Sequence, residues 1–447
     1  MAEDRPNFWT SRRRWAAVAV AGTLAAMAAG HWLPDAGLRW GLVKTLRDLG
    51  MSDVALGGAD LSLFNGALVV RGVSAKPEGG AGLDLAGLLL DFRWKPLLSK
   101  RVSVEALELD GADIELRRTG DGWELNGLPL AGGGEGGSQW SFDADRLRLT
   151  ASRLTVLDGT TRVAIDLDDL QIDNLRSWDA GQTMRYHLAG KVNGAPLVVD
   201  GSATPFADIP AFALTATAEK LDLAPFARAA GLAKLAGKLS GEIALTGKVE
   251  SARIPLEADG KLSAAGMAVE IDGTRLAGDL AWTGKAHVDG AVKATGKLSA
   301  DRLTVTAGGA TVTAGHAVVE AAKAEWAGGK GSLDGAIAAE AAQYGDADVT
   351  VSAQALSWKG KAGLAADGAI ASEGSAEATA IAIRTLGRVI EQARAGGTGS
   401  LNVVAAAKGV MPPLTGRFDA WAEGVMVREP IRDLAAAERV EAKGVAL

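Results

Sequence analysis

The sequence predicts a mostly β protein, in which an N-terminal transmembrane helix precedes a long curled antiparallel sheet, a β-groove, with a few short helices. Three observations predict this fold: one uncharged stretch near the N-terminus, a period-two alternation of apolar residues from about residue 53, and turn signals at short intervals. The 447 residues include 58 glycines, and aromatic residues make up only 5%. Small side chains of this kind supply little bulk for large globular cores.

The composition argues against several classes of function. The 47 basic and 54 acidic residues give a net charge of −7, which argues against a nucleic-acid-binding protein. The sequence has no cysteine, so disulfides, thiolate nucleophiles, cysteine-based zinc sites and iron–sulfur clusters are excluded. The four histidines are widely separated in the sequence, so none of them forms a sequence-local metal pair.

Residues 15–33 are predicted to form a transmembrane anchor. The stretch is uncharged, and at ~1.5 Å per residue its length nearly matches a ~30 Å hydrocarbon core. Its flanking residues are those of a single-pass anchor with a cytoplasmic N-terminus: Arg12, Arg13, Arg14, Trp15 and Trp32. The alternatives are an exported chain whose signal peptide is cleaved near residues 26–28, and a buried soluble helix.

The chain divides into six predicted parts. They are a cytoplasmic tail (1–14), the anchor (15–33), a juxtamembrane amphipathic helix (34–52), an N-terminal β unit (53–130), a Gly-rich linker (131–139) and a repetitive β-groove (140–447). The last residues resemble 100–111, so we expect the sequence to end within a repeat. Two short helices are also predicted, over residues 225–235 and around residues 386–393.

Period-two alternation predicts strands with one apolar face, and Asp-Gly dipeptides predict the turns between them. At ~8–12 residues per strand and turn, the pattern predicts roughly 25–35 strands. The Asp-Gly pairs begin at Asp110, Asp121, Asp158, Asp259, Asp272, Asp289, Asp334 and Asp367. Near-copies of Gly-Lys-Leu-Ser begin at Gly237, Gly260 and Gly296, at unequal spacings, which indicates repetition at the level of hairpins.

A sheet with one apolar face must cover that face, and the predicted helices are too few to do so. An open sheet of this size curls, and a trough lined by aliphatic side chains would aggregate in water unless an apolar ligand such as acyl chains filled it. Stacked sandwiches and a narrow triangular solenoid are the alternatives. The residues predicted to line the groove are Val102, Val104, Leu107, Leu109, Ile114, Leu116, Leu147, Leu149, Leu154, Val156, Ile243 and Leu245.

The sequence contains no recognisable catalytic constellation, so we expect no enzyme, no metal site and no cofactor. The densest acidic cluster, Asp166, Asp168, Asp169 and Asp173, alternates with aliphatic residues, which places acidic side chains on the solvated face of a strand. His187 is interpreted as an exposed strand residue. Ser202 lacks the strand, G-x-S-x-G and helix context of a hydrolase nucleophile.

Several segments resemble the opening of AsmA-like proteins. They are FNGALVVRGV at 64–73 and PLLSKRVSVEALELDG at 96–111, in a chain that begins with an arginine-rich tail and a single membrane helix. Residues 116–118 with DGWELNGL at 121–128 are similar to the family's arginine, glycine, Trp-Asn-Leu signature, although Glu124 stands where Asn is usual. Residues 221–226 and 237–241 are similar to its L-D-L-x-P-[FY] and G-x-L-S-G segments.

The resemblance covers about residues 1–270. It implies a protein anchored in the bacterial inner membrane, with a cytoplasmic N-terminus and a periplasmic repeating β-groove, related in architecture to TamB-like bridges. It further implies phospholipids, the inner membrane and other envelope proteins as partners, and a role in phospholipid transport toward the outer membrane. The alternatives are a non-transporting scaffold that assists outer-membrane protein assembly, and a secreted adhesin-like β-solenoid.

Overall fold

The structure is a computed structural model. It describes residues 35–48, 51–62, 66–77, 82–119, 122–126, 128–129, 140–159, 161–227, 231–250, 254–271, 273–385, 387–403, 414–429 and 432–446. Most of these residues are in β-strands, which confirms the predicted mostly β class. The chain divides into two compact units, Met1–Leu221 and Asp222–Leu447.

The predicted N-terminal anchor lies outside the described residues. The same holds for the tail 1–14, for the flanking residues Arg12, Arg13, Arg14, Trp15 and Trp32, and for the linker 131–139. Among the helices that are described, none has the length and apolar character needed to cross a membrane.

The first unit begins with one helix and continues with strands. Its elements are α1 (Asp35–Asp48), β1 (Met51–Ser62), β2 (Ala67–Pro77), β3 (Leu83–Arg93), a 3-10 helix (Lys95–Ser99), β4 (Arg101–Asp110), β5 (Asp113–Thr119), β6 (Gly122–Leu125), β7 (Leu128–Pro129), β8 (Ser141–Asp158), β9 (Thr161–Arg176), β10 (Met184–Val192), β11 (Ala195–Thr204) and β12 (Ala211–Asp222). The predicted helix 34–52 ends earlier than expected, because residues 51 and 52 already pair with β2 or hydrogen-bond to it.

The sheet of the first unit is not purely antiparallel, contrary to the prediction. Strands β1 to β4 form an antiparallel series, but β4 and β5 both pair with β8 in parallel. The predicted turn at Asp110-Gly111 is a bend, because β5 continues in the direction of β4 along the 18-residue β8. Gly111 has a φ of 63° and donates its N–H to Thr150 O, and Ala112 donates to Ser152 Oγ.

A closed core lies where α1 covers the first strands. Its buried side chains are Leu68, Val70, Leu90, Phe92, Val102, Val104 and Ala144, and Leu42 of α1 packs against them. Arg39 of the same helix donates from Nη2 to Leu56 O and Gly57 O of the edge strand β1. These bonds occupy carbonyls on a strand that pairs only with β2 among the described residues.

The second unit is an antiparallel series of long strands. After a 3-10 turn (Ala224–Phe226) come β13 (Lys234–Lys248), β14 (Leu256–Ile271), β15 (Thr274–Val288), β16 (Val292–Ala307), β17 (Ala310–Ala327), β18 (Lys330–Gly345), β19 (Thr350–Leu364), β20 (Ile370–Thr385), β21 (Arg388–Val403), β22 (Leu414–Glu429) and β23 (Arg432–Ala446). Each pairs with the next along the chain.

The described residues form 23 strands, fewer than the roughly 25–35 predicted for the chain, and the strands of the second unit are longer than predicted. Two of the Asp-Gly pairs, at Asp259 and Asp334, lie inside β14 and β18 and not at turns. Those at Asp289 and Asp367 do lie in turns, where Gly290 and Gly368 have positive φ. A composition rich in Asp-Gly therefore overestimates the number of hairpins when glycine also occurs within strands.

Both additional helices predicted from the sequence are wrong. In the segment 225–235 the described residues contain only the end of the 3-10 turn and the start of β13. Residues 388–393 begin β21, since Val389 and Ile390 are β-branched and Ile390 pairs with Ile383 and Val427 on neighbouring strands. The spacing of their apolar residues fits a helix, but the neighbouring strands supply the better partner.

Candidate functional site

Aligned rows of apolar side chains cross the sheet of the first unit. Residues opposite each other in register point to the same side of a sheet, so each row is a continuous apolar line. One row is Leu68, Leu90, Leu107, Leu147, Ile172, Tyr186, Gly201 and Leu214, and the next is Val70, Leu88, Leu109, Leu149, Leu170, Leu188, Val199 and Ala216. Four of the predicted lining residues lie in these two rows.

Four more predicted residues form rows on the part of β8 that follows Ala151. Ala151 has a φ of 47°, and the apolar alternation of β8 shifts by one residue there. The rows that follow are Ile114, Leu154, Ile165 and Val192, and Leu116, Val156 and Val163. Val102 and Val104 are 7% exposed and belong to the closed core, and Leu107 and Leu147 are partly buried residues that pack against it.

Tyr186 is the aromatic member of the first row. It stands opposite Gly201, where an added Cβ would lie 2.5 Å from Cζ of the tyrosine ring, so the ring lies over the glycine. Burial raises the pKa of Tyr186. The phenol therefore contributes to the row as a neutral, largely apolar group.

The second unit has rows that span all its strands. The first row lies near one end of the strands and consists of Leu235, Val269, Leu276, Val305, Val312, Tyr344, Val351, Ile383, Ile390, Val427 and Ala435. A second is Leu239, Ala264, Leu280, Ala300, Ala317, Ala339, Leu356, Ala378, Ala395, Ala422 and Val440. Each supplies one apolar residue from every strand from β13 to β23.

Tyr344 carries a hydroxyl in the first of these rows, and this hydroxyl is directed to a partner. It donates to Asp346 Oδ2 at 2.7 Å, in the turn after β18. This hydrogen bond raises the pKa of Tyr344 and lowers that of Asp346, whose other oxygen accepts the N–H groups of Asp348 and Val349. The hydroxyl is thus held by the turn.

A third row combines bulky and small apolar residues, and the row beside it consists mostly of glycine. The third row is Gly241, Leu262, Trp282, Leu298, Val319, Ile337, Trp358, Ala376, Gly397, Ala420 and Ala442. The glycine row is Ile243, Gly260, Gly284, Gly296, Ala321, Gly335, Gly360, Gly374, Gly399 and Phe418. Ile243 begins the glycine row, and Leu245 lies opposite Ala258 in the next one.

At its glycine positions, the glycine row leaves little room for a side chain between neighbouring strands. A Cβ added at Gly296 would lie 2.6 Å from Cα of Gly284, and Gly296 has a φ of 116°, a conformation that favours glycine. Glycines within strands permit sharp bends of a sheet. We therefore interpret the glycine row as a crease in the sheet, with apolar rows on either side of it.

The apolar face of the second unit is open. Among its described residues, the buried apolar side chains are Ala264, Ala300 and Ala314, whereas Leu298, Trp326 and Ile370 are 41%, 50% and 46% exposed. A second sheet packed against this face would bury such large side chains. Two apolar depressions of about 390 and 440 Å³ lie on it, the first lined by Val292, Trp326, Leu333, Leu364 and Ile370, the second by Leu356, Ala395 and Val440.

The indole of Trp358 spans the crease. Its Nε1 donates to Ser372 Oγ at 3.1 Å, although Trp358 stands opposite Ala376 and Ser372 stands opposite Ala362. The ring therefore reaches past Gly374, which lies between Ala376 and Ser372 on β20. This hydrogen bond satisfies two polar groups on an otherwise apolar face.

The opposite face of the second unit carries charged side chains of both signs, which form ion pairs. Lys285 and Asp259 form an ion pair at 3.3 Å, and Lys297 and Glu320 form one at 3.6 Å, with all four side chains more than half exposed. The sheet therefore has one wet face and one apolar face, as the alternation predicts.

The acidic cluster of the first unit forms ion pairs with arginines. Arg153 Nε donates to Asp166 at 2.6 Å and Arg148 Nε donates to Asp169 at 2.8 Å. His187 Nδ1 lies 2.7 Å from Asp200 Oδ1, and both side chains are exposed. In the part of the chain that the structure describes, no group of three or more histidine or carboxylate side chains is placed to hold a metal ion.

Sequence reasoning missed the crease, although a signal for it is present. The Gly-Lys-Leu-Ser copies at Gly260 and Gly296 place glycine in the crease and leucine in the adjacent apolar row, with the lysine between them on the wet face. Within a strand, the motif therefore places glycine at the crease, leucine on the apolar face and lysine on the wet face.

Comparison of the chain with family models, with curated proteins and with solved structures finds no match in any of the three.

Proposed function

We propose that the protein binds phospholipids by shielding their acyl chains on the apolar rows, and acts as an envelope lipid-transfer protein or lipid chaperone. The observation that carries the proposal is the continuity of the rows in the second unit, where an apolar residue from every strand faces an open surface. Exposed apolar area of this extent is unfavourable in water and typical of a surface that binds an apolar partner.

The remaining features are consistent with a conduit that needs no chemistry. Polar groups near the rows, such as the Tyr344 hydroxyl and the Trp358 indole N–H, are hydrogen-bonded to protein partners. A headgroup could remain at the wet rim while the acyl chain follows a row across the strands. Residues 12–33 support an inner-membrane anchor with the bulk of the chain in the periplasm, and so a contribution to phospholipid transport toward the outer membrane.

The proposal is tested with photo-crosslinkers in the full-length protein. A crosslinker replaces Val305, which lies in the first row of the second unit, and the matched control replaces its neighbour Thr304, which points to the other face and is similarly half-buried. Purified protein is irradiated and analysed for phospholipid adducts by mass spectrometry. We expect adducts at Val305 and few or none at Thr304.

A charge in the row should block binding at that strand. An ionised carboxylate in a hydrocarbon environment costs about 2.5–3.5 kcal/mol, or about a hundredfold in occupancy. Val305→Asp should therefore lose co-purifying phospholipid and transfer between vesicles, whereas Thr304→Asp should retain both. Leu107→Asp and Leu149→Asp test the rows of the first unit in the same way.

Two results would oppose the proposal. If Val305→Asp and Leu149→Asp transfer phospholipid as well as the parent protein does, the rows are not the path. If the full-length protein is monodisperse and free of lipid, and neither crosslinked position yields an adduct, the scaffold function is favoured instead.

A further inference from the structure

The wet face of the second unit carries its own concave site. A cavity of about 670 Å³ lies over the last six strands, β18 to β23. Most of its lining residues alternate along their strands with the apolar rows and therefore face the opposite side, whereas Ile337, Trp358, Ala376, Gly397 and Ala420 of the third row contribute where the sheet itself forms the floor. Its side chains belong to two register lines, one that includes Ser357, Glu377, Trp421 and Glu441, and one that includes Lys359, Ser375, Thr398 and Asp419. At ~4.8 Å per strand the site extends for about 24 Å across the sheet.

An aromatic ring forms part of this site. Trp421 is the residue of β22 that stands opposite Gly396 of β21. A Cβ added at Gly396 would lie 3.0 Å from Cζ2 of the indole, so the ring lies against the glycine backbone. The guanidinium carbons of Arg394 and Arg439 lie 5.5 and 5.8 Å from the ring centroid. The ring is thus fixed on one side by the sheet and flanked by planar cations.

The charges around the ring are matched. Arg439 pairs with Glu423 and Glu441 at 2.8 Å each, and Lys443 pairs with Glu441 at 3.4 Å. The hydrogen bond from Arg439 lowers the pKa of Glu441. Arg394 lies 3.7 Å from Glu377. The lining of the cavity holds as many carboxylates (Glu377, Asp419 and Glu441) as cations (Lys359, Arg439 and Lys443), so the site has no excess positive charge for a phosphate or another anion.

The side chains of the site offer many hydrogen bonds without a net charge. Ser375 and Thr398 stand between Lys359 and Asp419 in one register line, and Ser357 stands beside Glu377 in the other. An acyl chain would leave these groups unpaired, which is costly. A neutral ligand with many hydroxyls could instead bond to both the carboxylates and the cations, while its C–H face packs on the indole.

We propose that this site binds a saccharide, and specifically an extended oligosaccharide that crosses the strands. The three observations that carry the proposal are the ring of Trp421 held on the wet face, the matched charges and hydroxyls around it, and the extension of the site over six strands. The side chains that carry this proposal, those of Trp421 and its charged neighbours, alternate with the apolar rows and so lie on the other face from the residues proposed to bind lipid.

The test is isothermal titration of the full-length protein with soluble oligosaccharides of six residues. The probes are β-1,4-linked N-acetylglucosamine, β-1,4-linked glucose and α-1,4-linked glucose, each titrated to millimolar concentration, with the monosaccharides as length controls. We expect saturable binding of at least one hexamer and much weaker binding of its monomer. No saturable binding of any hexamer would overturn the proposal.

Variants locate the site. Trp421→Ala should weaken binding about tenfold or more, and Trp421→Phe should retain part of it. Asp419 Oδ1 accepts the N–H of Gly444 at 2.6 Å. Asp419→Asn can keep that bond with its amide oxygen while it replaces the second carboxylate oxygen by an NH2 donor, and it should weaken binding with no change in fold as judged by far-UV circular dichroism. The matched control is Trp326→Ala, an exposed tryptophan on the apolar face. Binding that is unchanged in Trp421→Ala and Asp419→Asn would place the saccharide elsewhere and refute the assignment.

Discussion

Replacing one glycine of the crease by alanine should destabilise the second unit far more than the single added methyl group suggests. At Gly296 the added Cβ would meet the carbonyl of Thr283 and would lie 2.6 Å from Cα of Gly284, both of them backbone atoms that no rotamer change can move. The φ of 116° is also unfavourable for alanine. Backbone strain of this kind costs about 1–3 kcal/mol, and forcing an extra carbon into a packed space costs about 1–3 kcal/mol.

The expected loss for Gly296→Ala is therefore about 2–6 kcal/mol of unfolding free energy. For a body of this size, that corresponds to a fall in the unfolding midpoint of about 4–24 °C. The matched control is Gly345→Ala, in the neighbouring part of the same sheet, where the nearest atom to the added Cβ, Thr350 Oγ1, is 4.0 Å away. The control should be close to neutral.

The assay is thermal and urea unfolding of the full-length variants, followed by far-UV circular dichroism. A third variant, Gly308→Ala, has a φ of 58° but nothing within 4 Å of the added Cβ, so it reports backbone strain without the steric contact. We expect the order Gly345→Ala, Gly308→Ala, Gly296→Ala in increasing loss of stability. If Gly296→Ala is as stable as Gly345→Ala, the strands do not need glycine to approach each other and the crease is not a constraint.

Two further predictions concern hydrogen bonds that hold the sheet. Trp358→Phe and Ser372→Ala should each lower the free energy of unfolding by about 1 kcal/mol. The double variant should lower it by little more than either single variant, because both substitutions remove the same hydrogen bond. Additive losses in a double-mutant cycle would show that the two side chains do not interact. Asp279 accepts the N–H of Gly266 and pairs with Arg302, so its pKa in the folded protein lies below the ordinary value. The unfolded chain then binds more protons in acid, so this contribution is present above the ordinary aspartate pKa of about 3.9 and is lost as pH falls below it. Asp279→Asn should weaken that acid-dependent loss, and an unchanged pH profile of unfolding would contradict the assignment.

The period-two alternation predicts the faces of strands such as β4 and β8, because it reports which side of a strand is wet, although it does not predict every strand. Leu107, Leu109, Leu147 and Leu149 are predicted by alternation alone, and register places them in two adjacent rows. The alternation could not predict which rows are covered. Val102 and Val104 follow the same pattern, yet they are buried in a core beside α1, since the approach of a helix depends on tertiary packing.

The two wrong helices and the surplus turns have a common physical cause. Glycine marks a turn when the chain must reverse, but it also marks a position in a strand where a neighbouring backbone comes close. Gly260 and Gly335 lie within strands, close to a neighbouring backbone. Asp-Gly dipeptides considered without their neighbours in the sheet therefore predict turns where the strand continues. Likewise, Ile390 of β21 pairs with Ile383 and Val427 on the adjacent strands, and this pairing is not visible in the spacing of apolar residues within β21 alone.

In the second unit, stability depends on contacts between neighbouring strands, whereas lipid passage along a row would depend on the continuity of that row. Each strand contacts its neighbours in the series, so stability is close to a sum of strand terms and nearest-neighbour terms. A charge introduced at Val305 therefore affects the pairing of one strand with β15 and β17, and leaves the rest of the sheet intact. Continuity of an apolar row is a different kind of property, because a single interruption divides the whole row. A substitution that costs little stability but abolishes lipid passage is thus the result that a continuous row predicts, whereas a closed core would lose stability and function together.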